Sequence, residues 1–421
     1  MGSGFHLNAS SATSLSMDNL PLTRDLVLIG GGHTHALVLR RWGMNPLPVV
    51  RVTVINPGPT APYSGMLPGF VAGHYTRDDL DIALVKLSRF AGARFINGYA
   101  SAIDPIKKEI TIPGRPVVAY DVAAIDVGIT SAMPDMPGFT THAVPAKPLG
   151  TFATRWDSFR ESASAPQIVV IGGGVAGAEL AMAMAYALRG KDPKVKLIDR
   201  GRVLAALGYT ARNKMLLALG SMNVEINEEA EVSEVFPEGV VLNDGRTIRS
   251  DITTGAAGAK PHDWIAQTGL DQEDGIIRDD ANLRSSDPSV FAVGDCAHLI
   301  ENPRPKAGVF AVRQAPVLYD NLRAVLSGGR VRKYTPQRDY LKLISLGGKS
   351  ALAEKFGTAR QGPLLWKLKD YIDVKFMTQF DRLPVMAQTK LPRTVALGGQ
   401  HVLCDKPMCG GCGAKVGRTS L

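Results

Sequence analysis

Residues 167–199 read QIVVIGGGVAGAELAMAMAYALRGKDPKVKLID and contain a complete strand, turn, helix and strand. The apolar run 168–171 predicts a strand, the glycines of 172–177 a tight turn, 178–188 a helix, and 195–198 a second strand. Such a βαβ unit has a right-handed crossover and places the glycine turn at the N-terminus of its helix. The stretch therefore predicts an α/β fold with a parallel sheet.

The same pattern occurs earlier, in residues 25–56. Here the predicted first strand is Leu26–Ile29, the glycines are residues 30–32, the helix is Thr34–Trp42 and the second strand is Val50–Ile55. Two units of one kind, well separated in the chain, indicate two nucleotide-binding domains rather than a coincidental glycine turn.

The second turn matches the pattern G-x-G-x-x-G completely, with Gly172, Gly174 and Gly177. A pyrophosphate needs bare backbone N–H groups at a helix N-terminus, and glycine permits its close approach. Asp199 ends the next strand, where a carboxylate binds a ribose 2′-hydroxyl and repels a 2′-phosphate. This favours NADH over NADPH, although the adjacent Arg200 weakens the preference.

The first turn departs from the pattern. It has Gly30 and Gly32, but His35 stands in the place of the third glycine. Asn56 replaces the acid and can still hydrogen bond to a hydroxyl. Two turns imply two bound dinucleotides, and the natural pair is a flavin with a nicotinamide.

The composition excludes several other classes of protein. The 421-residue chain is 45% apolar and 21% charged, which is unlike a fibrous or wholly disordered chain. No run of about 18 apolar residues occurs, so no transmembrane helix is expected. The net charge is +9, but the charges are scattered without a basic run, so we expect no nucleic-acid partner.

The four cysteines are Cys296, which stands alone, and Cys404, Cys409 and Cys412 near the C-terminus. This placement excludes a disulfide framework and fits a reducing, cytoplasmic compartment. Residues 1–23 are rich in Ser, Asn and Thr without an apolar stretch, so we expect a disordered leader and not a signal peptide.

A third motif is Val290-Phe291-Ala292-Val293-Gly294-Asp295, a short strand that ends in Gly-Asp. With the two turns, it gives residues 25–380 a resemblance to the two-dinucleotide-binding-domain flavoproteins, also called pyridine nucleotide-disulfide oxidoreductases. The resemblance implies that Gly294 and Asp295 contact FAD, with Asp295 on the ribityl chain. Asp295 can alternatively serve as a helix N-cap. Gly255, which ends another short predicted strand, is a further candidate for cofactor binding.

Disulfide reductases of that superfamily carry a cysteine pair against the flavin, but the corresponding residues 56–73 contain no cysteine. The chain resembles instead the type II NADH dehydrogenases. In that family a glutamate on the helix after the second turn lies near the nicotinamide and the flavin, and Glu179 matches it. The alternative for Glu179 is a charge that complements the helix dipole.

The same family has a helix beside the flavin ring and the quinone, which residues 307–316, AGVFAVRQAP, resemble. The resemblance implies that Ala307 lies at the flavin, that Gln314 reaches the electron acceptor, and that Arg313 stabilises negative charge on the reduced flavin. The alternative is a helix that packs under the flavin without touching an acceptor.

Two segments point to a narrower relative. Gly30–His35 and Tyr63–Gly69 are similar to segments of the FAD-dependent oxidoreductase that is fused ahead of selenide, water dikinase. This resemblance adds His33 and Pro68 to the candidate cofactor-binding residues.

The tail residues 408–417, MCGGCGAKVG, resemble the first residues of the dikinase itself. Cys412 and Lys415 match the places of its catalytic cysteine and lysine. Since the chain ends at Leu421, we expect a truncated start of that domain without dikinase activity. No metal is expected, although His401, Cys404, Cys409 and Cys412 form an alternative Zn²⁺ set, and Cys409 with Cys412 an alternative mobile dithiol.

The segment before the tail predicts a hairpin, residues 340–345 and 349–356, and then a helix over residues 363–380. Type II NADH dehydrogenases attach to membranes through C-terminal amphipathic helices, so this helix is a candidate for peripheral contact with the inner face of the membrane. Packing in the core or in a homodimer is the alternative.

We therefore expect an α/β protein with two Rossmann-like domains, one for FAD and one for NAD(P)H and inserted in the first, plus a small α+β C-terminal domain. The predicted division is a leader 1–23, FAD-binding parts 24–145 and 259–332, an NAD(P)H-binding domain 146–258, a C-terminal domain 333–390, and a linker with the truncated start 391–421. The expected reaction passes hydride from NADH to FAD and electrons to a quinone. The alternatives are reduction of a selenium compound that supplies the dikinase, and a non-enzymatic flavin sensor or scaffold.

Overall fold

A computed structural model describes residues 23–386 of the chain, and the predicted leader and dikinase-like tail lie outside the described residues. The helices of the described part are α1 (His33–Met44), α2 (Leu67–Val71), α3 (Arg77–Leu80), α4 (Leu84–Phe90), α5 (Phe139–His142), α6 (Leu149–Ser162), α7 (Val175–Ala187), α8 (Tyr209–Ser221), α9 (Gly308–Leu326) and α10 (Pro363–Asp381).

The strands of the described part are β1 (Arg24–Ile29), β2 (Val50–Asn56), β3 (Thr60–Pro62), β4 (Asp81–Ala83), β5 (Arg94–Asn97), β6 (Ala102–Asp104), β7 (Glu109–Thr111), β8 (Val118–Ala119), β9 (Val122–Ile125), β10 (Thr130–Ser131), β11 (Ala143–Pro145), β12 (Gln167–Ile171), β13 (Lys194–Ile198), β14 (Val224–Asn227), β15 (Val232–Phe236), β16 (Gly239–Leu242), β17 (Thr247–Arg249), β18 (Ile252–Gly255), β19 (Ala259–Lys260), β20 (Gln272–Glu273), β21 (Ile276–Asp279), β22 (Val290–Ala292), β23 (Ala297–Leu299), β24 (Lys342–Ser345), β25 (Ala351–Lys355) and β26 (Thr358–Gly362).

Two five-stranded parallel sheets form the framework. The first has the strand order β22-β9-β1-β2-β5, and the second has the order β11-β18-β12-β13-β14. The first sheet thus takes strands from both sides of the chain segment that builds the second. The α/β fold expected from the two glycine turns is confirmed, whereas the exact domain boundaries stay a prediction.

Each sheet brings the carboxyl ends of its strands to one edge, which is where ligands bind in open α/β sheets. In the first sheet, β1, β2 and β9 are in register. β1 ends directly before the first glycine turn, β2 ends at Asn56, and β9 ends directly before Asp126. In the second sheet, β12, β13 and β18 are also in register, and their carboxyl ends lie beside the second glycine turn.

Both predicted turn helices begin earlier than the sequence analysis expects. α7 begins at Val175 instead of Ala178, and α1 begins at His33 instead of Thr34. The reason is that Gly174 and Gly32 each serve as the residue immediately before the first helical turn, so the helix starts inside the glycine motif.

The C-terminal part is a three-stranded antiparallel sheet, β24-β25-β26, followed by α10. The predicted hairpin is β24 and β25. β24 begins two residues later than expected and ends where expected, β25 is shorter at both ends, and a third strand, β26, pairs with β25. Along α10 only Asp373, Met377 and Phe380 are buried, so most of this helix faces outward. Within residues 23–386, the helices are all too short or too polar to cross a membrane.

Candidate functional site

The first glycine turn connects β1 to α1 and is held by the neighbouring strands. Gly30 donates its N–H to the carbonyl of Ile55 at 2.8 Å, and Gly32 donates to the carbonyl of Asp126 at 3.2 Å. Gly30 has φ +93°, and a Cβ there would collide with the backbone of Asp126. Only glycine fits this position, as the motif requires.

Asn56, at the end of β2, supports this turn with its side chain. Its Oδ1 accepts a hydrogen bond from the N–H of Gly31 at 2.8 Å, and its Nδ2 donates to the carbonyl of Gly58 at 2.9 Å. The side chain is buried. Both ends of the amide are therefore engaged within the protein, and its predicted bond to a ligand hydroxyl stays a prediction.

The second turn is built in the same way, with Asp199 in the place of Asn56. Asp199 Oδ2 accepts from the N–H of Gly173 at 2.6 Å, and its Oδ1 accepts from the N–H of Gly201 at 2.8 Å. A Cβ at Gly177 would collide with the carbonyl of Gly172, whereas the space around Gly174 is open. The glycines thus leave the N-terminus of α7 accessible to a phosphate group.

Asp126 directly follows β9 and is a site residue that the sequence analysis missed. It is 3% exposed, and its Oδ2 accepts a hydrogen bond from the N–H of His35 at 3.0 Å. Its carboxyl group lies against Gly32 and Gly294. Burial raises the pKa of Asp126 to about 6, although the amide of His35 opposes the shift. An acid at the carboxyl end of a parallel strand was the available signal.

Gly294 and Asp295, the predicted flavin motif, follow β22 at the same edge of the sheet. Gly294 donates its N–H to Oε1 of Gln314 at 2.8 Å, and Asp295 Oδ2 lies 3.4 Å from Nζ of Lys147. Gln314 is 6% exposed. The structure therefore places Gln314 under the predicted flavin loop, and its expected contact with an electron acceptor stays a prediction.

The helix that carries Gln314, α9, packs against α1. Thr34 Oγ1 donates to the carbonyl of Ala311 at 2.8 Å, which brings the beginnings of the two helices together. Ala307 immediately precedes α9 in extended conformation. Arg313 is exposed on this helix, and its predicted role at the reduced flavin also stays a prediction.

Glu179 lies on α7 and faces the C-terminal part of the chain. It accepts a hydrogen bond from the backbone N–H of Ser345, in β24, at 2.7 Å. Removal from water raises the pKa of Glu179 to about 7, and the positive charge of Lys369 on α10 opposes the shift. A carboxyl group with this pKa takes up and releases a proton near neutral pH.

Lys369, whose positive charge acts on Glu179, also contacts a second buried acid. It donates to Oδ2 of Asp373 at 2.6 Å and to the carbonyl of Gly65 at 2.7 Å. The hydroxyl of Tyr63 donates to Oδ1 of Asp373 at 3.0 Å. Burial raises the pKa of Asp373. We call Glu179, Lys369, Asp373 and Tyr63 the acidic cluster.

The acidic cluster continues to the first glycine turn through aromatic contacts. The ring centroid of Tyr63 lies 4.6 Å from that of Phe376 and 5.1 Å from that of His33. Burial lowers the pKa of His33, the first residue of α1. Sequence reasoning missed Tyr63, Asp373 and Lys369 as a group, because residues so far apart in the chain meet only after folding.

Pro68 and Gly255, two predicted cofactor-binding residues, both lie in well-packed places. Pro68 is buried in α2, which packs against α7. Gly255 ends β18, where a Cβ would meet the side chains of Met133 and Phe139. Whether either touches a cofactor stays a prediction.

Cys296 is fully buried, and burial raises the pKa of its thiol to about 12. It therefore stays protonated and unreactive. Within residues 23–386, no group of three or more His, Cys, Asp or Glu side chains could hold a metal ion. The alternative zinc set and the alternative dithiol of the tail lie outside the described residues.

The sequence is similar to several flavin-dependent reductases. It is 32% identical over 204 residues to a nitric oxide reductase FlRd-NAD(+) reductase of Aeromonas salmonicida, which covers 46% of this chain and 50% of that protein. It is 27% identical over 218 residues to a type II NADH:quinone oxidoreductase of Haemophilus influenzae, with 45% and 47% covered. The chain spans about half the length of the curated relatives it matches.

The fold has solved counterparts as well. NDH2 from Plasmodium falciparum, solved in complex with NADH, superimposes with a TM-score of 0.70 at 12% identity, over 86% of this chain and 99% of that one. FAD and NADH are typical cofactors of such proteins, and the two turns with Asp295 and Asp199 fit them. The sequence model of the pyridine nucleotide-disulphide oxidoreductases matches residues 24–315, well over half of the chain, and the protein belongs to this family.

Proposed function

We propose that this protein is an FAD-dependent NADH:quinone oxidoreductase. The observation that carries the proposal is the acidic cluster, in which titratable groups from α7, α10 and the segment after β3 meet beside the first glycine turn. Such a cluster suits an acceptor that takes up protons together with electrons.

The two turns assign the cofactors to their places. Gly30, Gly32 and Asp295 would hold FAD, while the second turn and Asp199 would hold NADH. The redox chemistry, transfer of hydride from NADH and of electrons to a second substrate, would be supplied by FAD when bound. The contribution of the chain is to position the two dinucleotides and to supply or remove protons.

The acidic cluster would supply the one proton that quinone reduction needs beyond the hydride, since NADH, one proton and a quinone give NAD⁺ and a quinol. Reduction of a quinone to a quinol consumes two electrons and two protons. Glu179 can hold or release a proton at its carboxyl group near neutral pH, because its pKa is raised to about 7. Lys369 and Tyr63 both hydrogen bond to Asp373, and the charge of Lys369 also acts on Glu179. The ring of Tyr63 in turn lies against that of His33.

A dithiol relay is not required in this proposal. Residues 56–73 contain no cysteine, and the buried Cys296 keeps its proton. Electrons would then leave directly from the flavin ring to a bound acceptor.

The proposal is tested by NADH oxidation with a water-soluble quinone. We expect turnover that depends on added quinone. Glu179→Gln should lower kcat/KM for the quinone about a hundredfold or more, since a positioned proton donor typically contributes about 10²–10⁴-fold. The variant should also lose the pH dependence near pH 7. Glu161→Gln, an exposed acid on α6, is the matched control.

The proposal is contradicted if added quinone does not reoxidise the reduced flavin. If the wild-type flavin is reduced by NADH but no quinone reoxidises it faster than air does, the acceptor is of another class. Flavin reduction without turnover on any acceptor would support the alternative of a redox sensor or scaffold.

A small redox protein is the second candidate acceptor. Several relatives are named as reductases of FlRd or rubredoxin, and putidaredoxin reductase shares the fold with a TM-score of 0.65. Lys367 and Lys375 lie exposed on α10 and would suit an acidic partner. Reduction of a purified rubredoxin that exceeds the rate with quinone would favour this candidate.

Two finer expectations belong to the same proposal. The dikinase-like residues 408–417 support a selenium compound as an alternative acceptor, which selenite in the same assay tests. Peripheral membrane contact is supported by exposed apolar side chains on α10, namely Leu364, Leu368, Tyr371 and Ile372. Sedimentation with vesicles of anionic lipid tests this contact, and a Leu364→Ser, Leu368→Ser variant should lose it.

A further inference from the structure

The N-terminus of α1 is already capped by an acid. The first N–H groups of a helix have no partner within the helix and attract anions. Here Oδ2 of Asp126 accepts from the N–H of His35, and the carboxyl group lies directly over Gly32. Asp126 therefore holds a negative charge at the helix end where the pyrophosphate of FAD would bind.

The second turn provides an internal comparison. Asp126 donates its N–H to the carbonyl of Ile29, and Ala256 donates its N–H to the carbonyl of Ile171 in the same way. Each thus follows the strand next to its glycine turn. Position 256 carries a methyl group where position 126 carries a carboxyl group, so the acid is a special feature of the first turn.

The backbone amides of His35 and Thr34 and the ring of His33 favour the ionised form of Asp126, but its pKa stays above the ordinary value. The titratable groups that face it from the packed elements are His33 and His35 on α1, Asp295 and Cys296 after β22, and, near His33, Lys147. Burial lowers the pKa of His35 to about 4, and the thiol of Cys296 is protonated, so both are neutral at pH 7. The carboxylate of Asp295 adds repulsion.

We propose that FAD binding is coupled to the uptake of one proton by Asp126. Above pH 6 the carboxyl group is ionised in the protein without FAD, since its pKa is about 6. A pyrophosphate that arrives at the same helix end repels a carboxylate, and the complex is stabilised when Asp126 takes a proton from the solvent. The inference rests on FAD binding at the first turn, which the family provides, and is independent of the electron acceptor.

The sign of the coupling follows from linkage. The group binds a proton more tightly in the complex than in the free protein, so the affinity for FAD falls as pH rises above 6. In the pH range where binding takes up one full proton, the affinity for FAD falls about tenfold per pH unit. Asp126→Asn has no proton to take up and keeps an oxygen that can accept from His35.

The experiment is calorimetric titration of the protein, freed of flavin, with FAD between pH 6 and pH 8. Two buffers of different ionisation enthalpy give the number of protons taken up. We expect close to one proton in the wild type at pH 7.5, and none in Asp126→Asn. At pH 8 the variant should bind FAD about tenfold or more tightly than the wild type.

Two further variants serve as controls. Asp121→Asn, in a partly buried acid just before β9, keeps an oxygen that can accept from the N–H of Asp25 and should leave proton uptake unchanged. Ala256→Asp places an acid at the second turn as well. NADH affinity should then become pH-dependent, while FAD affinity and its pH dependence stay as in the wild type. A wild type that takes up no proton overturns the proposal by itself, even where Asp126→Asn fails to fold. An Asn variant with the wild-type pH dependence overturns it as well.

Discussion

The carboxylate of Asp199 accepts a hydrogen bond of 2.6 Å from the backbone N–H of Gly173. The residue therefore has two functions at the second turn. It fixes the glycine loop, and we propose that its negative charge also discriminates between a ribose hydroxyl and a ribose phosphate. Substitutions can separate these two functions.

Asp199→Asn removes the charge and keeps an oxygen that can accept from Gly173. We expect the preference for NADH over NADPH to narrow about tenfold, equivalent to about 1.4 kcal/mol, with little change in thermal stability. Asp199→Ala should narrow the preference to a similar extent and also destabilise the protein by about 1–2 kcal/mol, because the turn loses its acceptor. Steady-state kcat/KM for both nucleotides and the unfolding midpoint measure the two effects.

Asn56→Asp is the matched control, since Asn56 holds the first turn as Asp199 holds the second. It should leave the NADH to NADPH ratio unchanged. Equal use of both nucleotides by the wild type would contradict the assignment of Asp199.

We expect retention of FAD to depend on Asp295. An ionised acceptor for ribityl hydroxyls contributes about 1.5–3 kcal/mol, so Asp295→Ala should weaken FAD binding about tenfold to a hundredfold. The amount of FAD that copurifies, and its Kd on reconstitution, measure this loss. Asp263→Ala, an exposed acid, should keep the flavin. A wild-type protein that cannot take up FAD would refute the cofactor assignment.

The sequence alone predicted the two βαβ units, because local apolar runs and glycine turns carry that information. The structure adds relations that local patterns do not contain. Gln314 is bonded to Gly294, twenty residues away, and Glu179 faces Ser345 in a strand far along the chain. Asp126 was not singled out, because its contacts with Gly32 and His35 form only when β9 packs beside the first glycine turn.

Gln314 is expected to position the flavin loop. Gln314→Ala leaves the N–H of Gly294 without its acceptor, which costs about 1–3 kcal/mol, and should weaken FAD binding. Gln314→Leu keeps the buried volume without the acceptor oxygen and should weaken FAD binding as Gln314→Ala does. If Gln314→Ala instead retains FAD and loses only kcat/KM for the quinone, the residue contacts the acceptor, as the family resemblance implies.

The tail cysteines should not carry electrons to a quinone. Cys409→Ser with Cys412→Ser is expected to leave NADH:quinone activity nearly unchanged, because the acceptor would meet the flavin directly. Steady-state turnover of the double variant measures this. An inactive double variant whose flavin is still reduced by NADH would show that a tail dithiol carries the electrons.

The last prediction concerns stability and a buried acid away from the two turns. Asp279 ends β21 and is 0% exposed, and neither of its carboxyl oxygens has a hydrogen-bond partner within residues 23–386. Burial raises its pKa to about 8, with the charge of Lys306 in opposition. The folded protein thus keeps the proton up to about pH 8, whereas the unfolded chain loses it near pH 4.

The stability contribution of Asp279 is therefore complete below pH 4 and decreases as pH rises toward 8. Asp279→Asn has no such dependence, so it should match the wild type at pH 5 more closely than at pH 8, where it should be more stable by about 2 kcal/mol or more. Other acids with a raised pKa, such as Glu179, are present in both proteins, so their effects on stability cancel in the difference. Thermal unfolding midpoints of the two proteins between pH 5 and pH 9 measure the effect, and parallel curves over this range would show that Asp279 is ionised in the folded protein.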